Sequence, residues 1–277
     1  MTERLYGMGI SGALLELPPA RGAVPVAADS WLVRDGRARA LHRHRERFTA
    51  AVAEAGGPDV GVFWEEAMAR IPATGEWFPR VELADSAGDL RLRIRVRPAP
   101  ARTTEVRVWV PGRPDPRRTP RRKGPDLGEL ARLRTEAAAA GADEALLTGA
   151  DGLVLEGAAS SLLWWEDDTL CIVDPDLPVL PGVTRDWALA RAAELGVPVR
   201  RRRVRPAELA GLEVWCVNAL HGIRPVTGWA GEHAPVTPAD AAASGGPSER
   251  AGAWRDAWER AATPIPVPSY ADAPGSR

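Results

Sequence analysis

From residue 90 to 97 the chain reads LRLRIRVR, alternating without a break between aliphatic and cationic side chains. Successive side chains of an extended strand point to opposite faces, so this spacing sets Leu90, Leu92, Ile94 and Val96 against a core and sends four arginines to water. A helix would scatter both classes around its surface. One wet face is the mark of an antiparallel sheet, which any fold of this chain must accommodate. The alternation returns in TEVRVWV, after a turn at PAPART, and is followed by PGRPDPRRTPRRKGP, a proline-rich, basic connection. The domain boundary is expected there, giving a smaller α+β domain over 1–115 and a larger one over 116–277.

Around that strand the pattern is mixed. LHRHRERFTAAVAEA places Leu41, His44, Phe48, Ala51 and Val52 on one helical face, and VGVFWEEAMARI predicts a second helix. In the second half, Asp126 is expected to cap a helix through LGELARLRTEAAAA that stops at Gly141. EALLTG, LVLEGA, SLLWWED and TLCIVD read as consecutive short strands in hairpins. A helix from Val183 or Thr184 to about Leu195, strands at VPVRRRRV and EVWCVNA, a loop over 230–246 and a helix capped by Ser248 complete the reading.

Composition narrows the function. There are 36 basic and 37 acidic residues and no apolar run of spanning length, so a soluble protein without a membrane partner is expected. The start MTERLYGMGI carries no secretion signal, which makes the expected compartment cytoplasmic. Two cysteines and four scattered histidines fit neither a disulfide framework nor a metal centre. Every basic residue is arginine except one, Lys123. A guanidinium stays protonated, whereas a buried amine readily loses its proton and becomes a nucleophile. The bias thus leaves two readings of Lys123: a chance survivor on a surface loop, or an amine that chemistry requires.

Four segments in order favour the second. KGPDLGELARLRTEAAAAGADEALLTGADGLVLEGAASSLLWW, then LPGVTR, then CVNALHGIRPV, with HRER from His44 upstream, resemble the class IV aminotransferase family, pyridoxal phosphate enzymes of fold type IV. The resemblance implies a two-domain α/β (α+β) fold like that of D-amino acid aminotransferase. It makes Lys123 the point of covalent attachment for the cofactor's aldehyde and the proton carrier. Glu156 takes the position opposite the pyridine nitrogen. Val183 and Thr184, at a helix start after Gly182, take the phosphate; Arg47 pairs with the same phosphate, and Asn218 and Ala219 complete its cup. Ser30, Arg80 and Arg97 are the candidate substrate-side residues.

The chain also departs from the family pattern. Pro125, Asp126 and Gly128 follow the lysine where Asn or Tyr is common, Ser161 replaces the Asn of EGxxSN, and the glycine-rich arginine segment of the aminotransferases is not evident. CVNAL and the missing arginine segment bring the chain closest to aminodeoxychorismate lyase, which releases pyruvate to give 4-aminobenzoate. The alternative is an aminotransferase acting on branched-chain or D-amino acids. In either case the implied partners are a small amine or amino acid and a second copy of the chain in a homodimer. Two remoter readings are a non-catalytic family member and a nucleic-acid binder using PRRTPRRK and RRRR at 200–203. The net charge of −1 and the lack of a nucleic-acid-binding motif weigh against the latter.

Overall fold

The structure is a computed structural model that describes residues 3–9, 12–18, 25–86, 88–235 and 248–266. It divides into two units, one from Met1–Pro100 with Ala262–Arg277 and one from Ala101–Ala261. The division differs from the expected 115/116. Residues 111–125 pack within the second unit, where the Asp115 amide donates to Thr148 O at 2.8 Å and Arg117 pairs with Glu156. The first unit meanwhile recruits a strand from the far end of the chain.

In the first unit the strands β1 (Arg4–Met8), β2 (Leu14–Leu17) and β3 (Pro25–Ser30) precede a small hairpin of β4 (Val33–Arg34) and β5 (Arg37–Arg39). Asp35 and Gly36 make its turn with φ of 47° and 68°, the left-handed pair that a two-residue Asp-Gly hairpin requires. Helices α1 (Leu41–Glu54) and α2 (Gly61–Ala69) follow, then β6 (Glu76–Trp77), β7 (Arg80–Ser86) and β8 (Asp89–Val96). The main sheet is antiparallel throughout, in the order β2-β1-β8-β7-β3. A second sheet joins the strand Ala262–Pro264 to β5, β4 and β6. Leu41, His44, Phe48 and Val52 are the buried face of α1, as the helical spacing requires.

The strand β8 corrects the expectation of a wholly wet arginine face. Arg93 is only 7% exposed and Glu82, opposite it on β7, is fully buried. Arg93 Nε and Arg80 Nη2 each lie 2.5 Å from the Glu82 carboxylate, and Arg95 Nε lies 2.9 Å from it. Alternation distinguishes the two faces of a strand; it does not say that the polar face meets water. A partner on the neighbouring strand can satisfy cations just as well.

The second unit is built on an eight-stranded sheet. Its elements are β9 (Val106–Trp109), α3 (Leu127–Ala139), β10 (Glu144–Thr148), β11 (Val154–Gly157), β12 (Ser161–Glu166), β13 (Thr169–Val173), α4 (Val183–Glu194), β14 (Val199–Arg202), β15 (Glu213–Asn218), β16 (Gly222–Ala230) and a last helix, Glu249–Arg260. The order β11-β10-β9-β16-β15-β12-β13-β14 separates β11 from β12, so the expected run of hairpins is two hairpins, β10-β11 and β12-β13, at different places in the sheet. β9 is parallel to both neighbours, β10 and β16.

Each face of this sheet carries its own core. Leu162 and Trp164 of β12 join Val108, Leu133, Leu146 and Cys216 on one side. Leu163 and Trp165 join Trp215, Trp254 and Ala188 on the other. That explains the continuous apolar run SLLWW, since a strand covered on both sides has no polar face. Ser248 Oγ accepts from the Ala251 amide at 3.1 Å and caps the last helix as expected. Asp126 stands at the N-cap of α3 without capping it. Its carboxylate turns back to accept the amides of Arg118 (3.1 Å) and Thr119 (2.8 Å), closing the loop that carries Lys123. Part of the loop expected over 230–246 lies outside the described residues, as does the end of the tail beyond 266.

Candidate functional site

Lys123 is half-buried in the turn 120–126, just before α3 and beside Gly124 at φ 140°. The loop around it is held from several sides. Arg121 donates to the carbonyls of Pro175, Asp176 and Leu177 at 2.7–3.0 Å. Arg117 reaches the Pro120 carbonyl at 3.4 Å and the Glu156 carboxylate at 2.7 Å. Carbonyl acceptors and a buried carboxylate thus consume cations that the sequence offered as a basic patch. The same holds at RRRR, where Arg200 and Arg202 pair with Glu166 and Arg203 with Asp174.

Glu156 lies on β11 and is 4% exposed. It accepts from Arg117 Nη1 and from the Leu180 amide at 2.8 Å, both at Oε1, and no hydrogen bond reaches Oε2 among the described residues. Burial pushes its carboxyl above the usual range, and Arg117 and the Leu180 amide offset this only in part. Leu180 is two residues before Gly182, which precedes α4 without a side-chain cap. A Cβ at Gly182 would collide with Ser161 Oγ, so the glycine lets β12 and the helix start approach. Thr184, in the first turn, is 2% exposed, and its hydroxyl has no hydrogen-bond partner among the described residues.

Asn218, at the end of β15, uses both ends of its amide. Its nitrogen donates to Ala159 O at 3.1 Å, and its oxygen accepts the amides of Leu220 (3.1 Å) and His221 (2.8 Å). It shapes the β15-β16 turn that contains Ala219 and ties it to the turn before β12. Glu144, also buried, holds the other side of that turn through Ser160 Oγ at 2.9 Å and the Ala159 amide at 3.2 Å. Within the second unit, hydrogen bonds thus link the lysine loop, Glu156 and the segment before α4 in one set, and the Asn218 turn, Ala159 and Glu144 in another.

The remaining candidates belong to the first unit. Arg47, on α1, makes a two-point contact with Asp29 at 2.8 Å for each bond, and His44 Nδ1 lies 2.8 Å from the same carboxylate. Burial would raise Asp29, but Arg47 and His44 hold it well below the usual carboxylate range. Ser30, the next residue, pairs across strands with Arg80, and Arg80 with Arg95, so Ser30 and Arg80 share the sheet face of Glu82, away from Asp29. Arg97 follows in the same alternation; its side chain donates to Phe78 O at 3.0 Å, and burial together with the nearby Arg80 lowers its pKa.

Sequence reasoning missed Arg117, Asp115 and Asp29. In an arginine-rich loop nothing marks Arg117 as buried, though Asp115 two residues before it was a usable hint of an internal ion pair.

Comparison with known proteins accounts for this arrangement. The family model "Amino-transferase class IV" matches residues 27–229. A probable branched-chain-amino-acid aminotransferase of Synechocystis sp. is 33% identical over 97 residues, 35% of this chain and 32% of the relative. The chain thus matches about a third of that relative's length. Among solved structures, a hypothetical aminotransferase from Mycobacterium tuberculosis in its PLP-bound form superposes with a TM-score of 0.72 at 20% identity, covering 93% of this chain and 98% of that one. A branched-chain amino acid aminotransferase from Thermobaculum terrenum (M4 mutant) gives 0.75 at 18% identity, covering 95% and 98%. Likeness over nearly the whole of both chains establishes the two-domain fold type IV architecture. With a family match that spans most of its length, the chain belongs to the class IV aminotransferase family.

Proposed function

We propose that this protein is a pyridoxal phosphate-dependent aminotransferase whose amino donor is a branched-chain amino acid. The observation that carries the cofactor assignment is the Thr184 hydroxyl, buried without a partner among the described residues at the uncapped start of α4. Leaving such a group unsatisfied costs about 1–3 kcal/mol, which a bound anion at that place would recover. A phosphate would take this hydroxyl together with the first-turn amides of Val183 and Thr184 at the positive end of the helix. The free Oε2 of Glu156 suits the ring nitrogen, and Asn218 and Ala219 belong to the turn beside the same site.

When bound, the cofactor supplies an electron sink for the substrate's α-carbon. With the cofactor bound, Lys123 Nζ would be the group that holds it and the base for the proton on that carbon. Arg47 remains the phosphate-side residue of the first unit in this reading, and Ser30, Arg80 and Arg97 the substrate-side ones. The choice of donor rests on the Synechocystis relative. The lyase expectation leaned on CVNAL, but the three hydrogen bonds of Asn218 give that motif a turn-building role that either reaction would need.

Purified protein loaded with the cofactor is expected to show a visible absorbance band that borohydride bleaches, and to move nitrogen from leucine to a 2-oxo acid. Lys123→Arg should lose the band and the turnover while unfolding at the parental temperature. A variant with normal turnover would refute the assignment. Pyruvate release from aminodeoxychorismate without an acceptor would restore the lyase.

A further inference from the structure

Asp115, Arg117 and Glu156 form a buried row of alternating charge in the second unit. The side chains of Arg117, Glu156 and Asp115 are 5%, 6% and 9% exposed. Arg117 Nε lies 3.0 and 2.9 Å from the two Asp115 oxygens, and Nη2 lies 2.8 Å from one of them. The opposite corner of the guanidinium, Nη1, contacts Glu156 Oε1 at 2.7 Å. Carbonyls of Pro120 and Pro178 accept weakly from the same group at 3.4 Å.

The arithmetic of the row matters. Arg117 and Glu156 alone would be a neutral pair, offering little field to a cation placed at Oε2. Asp115 adds a second negative charge, so the three ions together carry one net negative charge. Because Asp115 engages Nε and Nη2, the guanidinium is fixed with only Nη1 turned to Glu156. Glu156 is thereby pinned at one oxygen and presented at the other.

We infer that Arg117, held in place by Asp115, is a positioning residue that orients Glu156 toward the ring nitrogen of the cofactor. The inference rests on the function proposed above. Glu82 is closed on both oxygens by three arginines, whereas this row leaves Glu156 bonded at one oxygen only among the described residues.

The test uses the full-length, cofactor-loaded protein and the variants Arg117→Met, Arg117→Lys and Asp115→Asn. Arg117→Met is expected to lower kcat by about 10–100-fold, the usual scale for groups that orient a reactive ligand, with KM for the donor nearly unchanged. It should also shift the absorbance maximum of the bound cofactor and weaken cofactor binding by about tenfold, as loss of one charge-assisted contact does. Arg117→Lys should recover part of both, and Asp115→Asn should fall between Arg117→Met and the parent.

Should Arg117→Met fail to fold, Arg117→Lys and Asp115→Asn carry the same comparison. Variants that melt earlier but keep the parental kcat and absorbance maximum would show a purely structural pair and overturn the inference. A parent that forms no band overturns the proposed function and this inference with it; a parent with a band and indifferent variants overturns this inference alone.

Discussion

Glu82 and Glu156 are both buried strand carboxylates, one in each unit, and the cations around them differ. At Glu82, burial would raise the pKa, yet Arg80, Arg93 and Arg95 outweigh it and keep the group ionised. At Glu156 burial dominates, because its one guanidinium is shared with Asp115. A carboxylate surrounded by arginines is a finished internal counter-ion. One with a single arginine and an unused oxygen is prepared for a positive charge that the chain itself does not supply.

Glu82→Ala should produce the largest effect among the variants that probe this contrast. Stripping the counter-ion from Arg80, Arg93 and Arg95 is expected to cost about 3–5 kcal/mol in urea unfolding, whereas Glu156→Gln should stay within about 1 kcal/mol of the parent. Equal losses would erase the distinction. In catalysis the order reverses: Glu156→Gln should reduce kcat by about 100-fold, as removal of a preorganised electrostatic group does. Next comes Thr184→Val, which removes a buried hydroxyl that has no partner among the described residues. Cofactor titration should show about tenfold weaker binding, while thermal stability holds or rises slightly.

The smallest effect is one of pH, and its sign differs between the two glutamates. The depressed pKa of Glu82 means that its contribution is complete above the unfolded value near 4.3 and is lost as pH falls through the folded value. The gap in unfolding free energy between parent and Glu82→Gln should therefore close on acidification from about pH 6 to 3. The raised pKa of Glu156 works in the other direction: its contribution is complete below about 4.3 and is lost as pH rises through the folded value. Glu156→Gln should accordingly gain on the parent as pH rises above about 4.3. Parallel pH curves for the two variants would contradict the assigned environments.

Much of this was legible in the sequence because short-range rules govern it. The face of α1, the two-sided core of β12, the Ser248 cap and the start of α4 each depend on residues a few positions apart. Pairings over long distances were not legible. The strand Val106–Trp109 looks like a continuation of β8, yet it lies in the other unit between two parallel neighbours that come later in the chain. Burial of Arg93 required knowing that Glu82 would face it across strands. The hairpin at Asp35-Gly36 carries a clear local signal, since Asp-Gly suits the two left-handed positions of its turn. At the site, Lys123 stood out through rarity, whereas Arg117 was one arginine among many, and only its contacts with Asp115 and Glu156 distinguish it.

The strand Ala262–Pro264 pairs with β5, and the Ile265 amide then donates to Gly36 O at 2.9 Å. During translation β5 emerges while this partner is still unmade, and all of Ala101–Ala261 must be synthesised before it appears. At ordinary elongation rates that interval is roughly 10–30 s. Throughout it the nascent chain displays the open edge of β5, a template for pairing with neighbouring polypeptides. Strand β5 is thus made well before the strand that seals its edge.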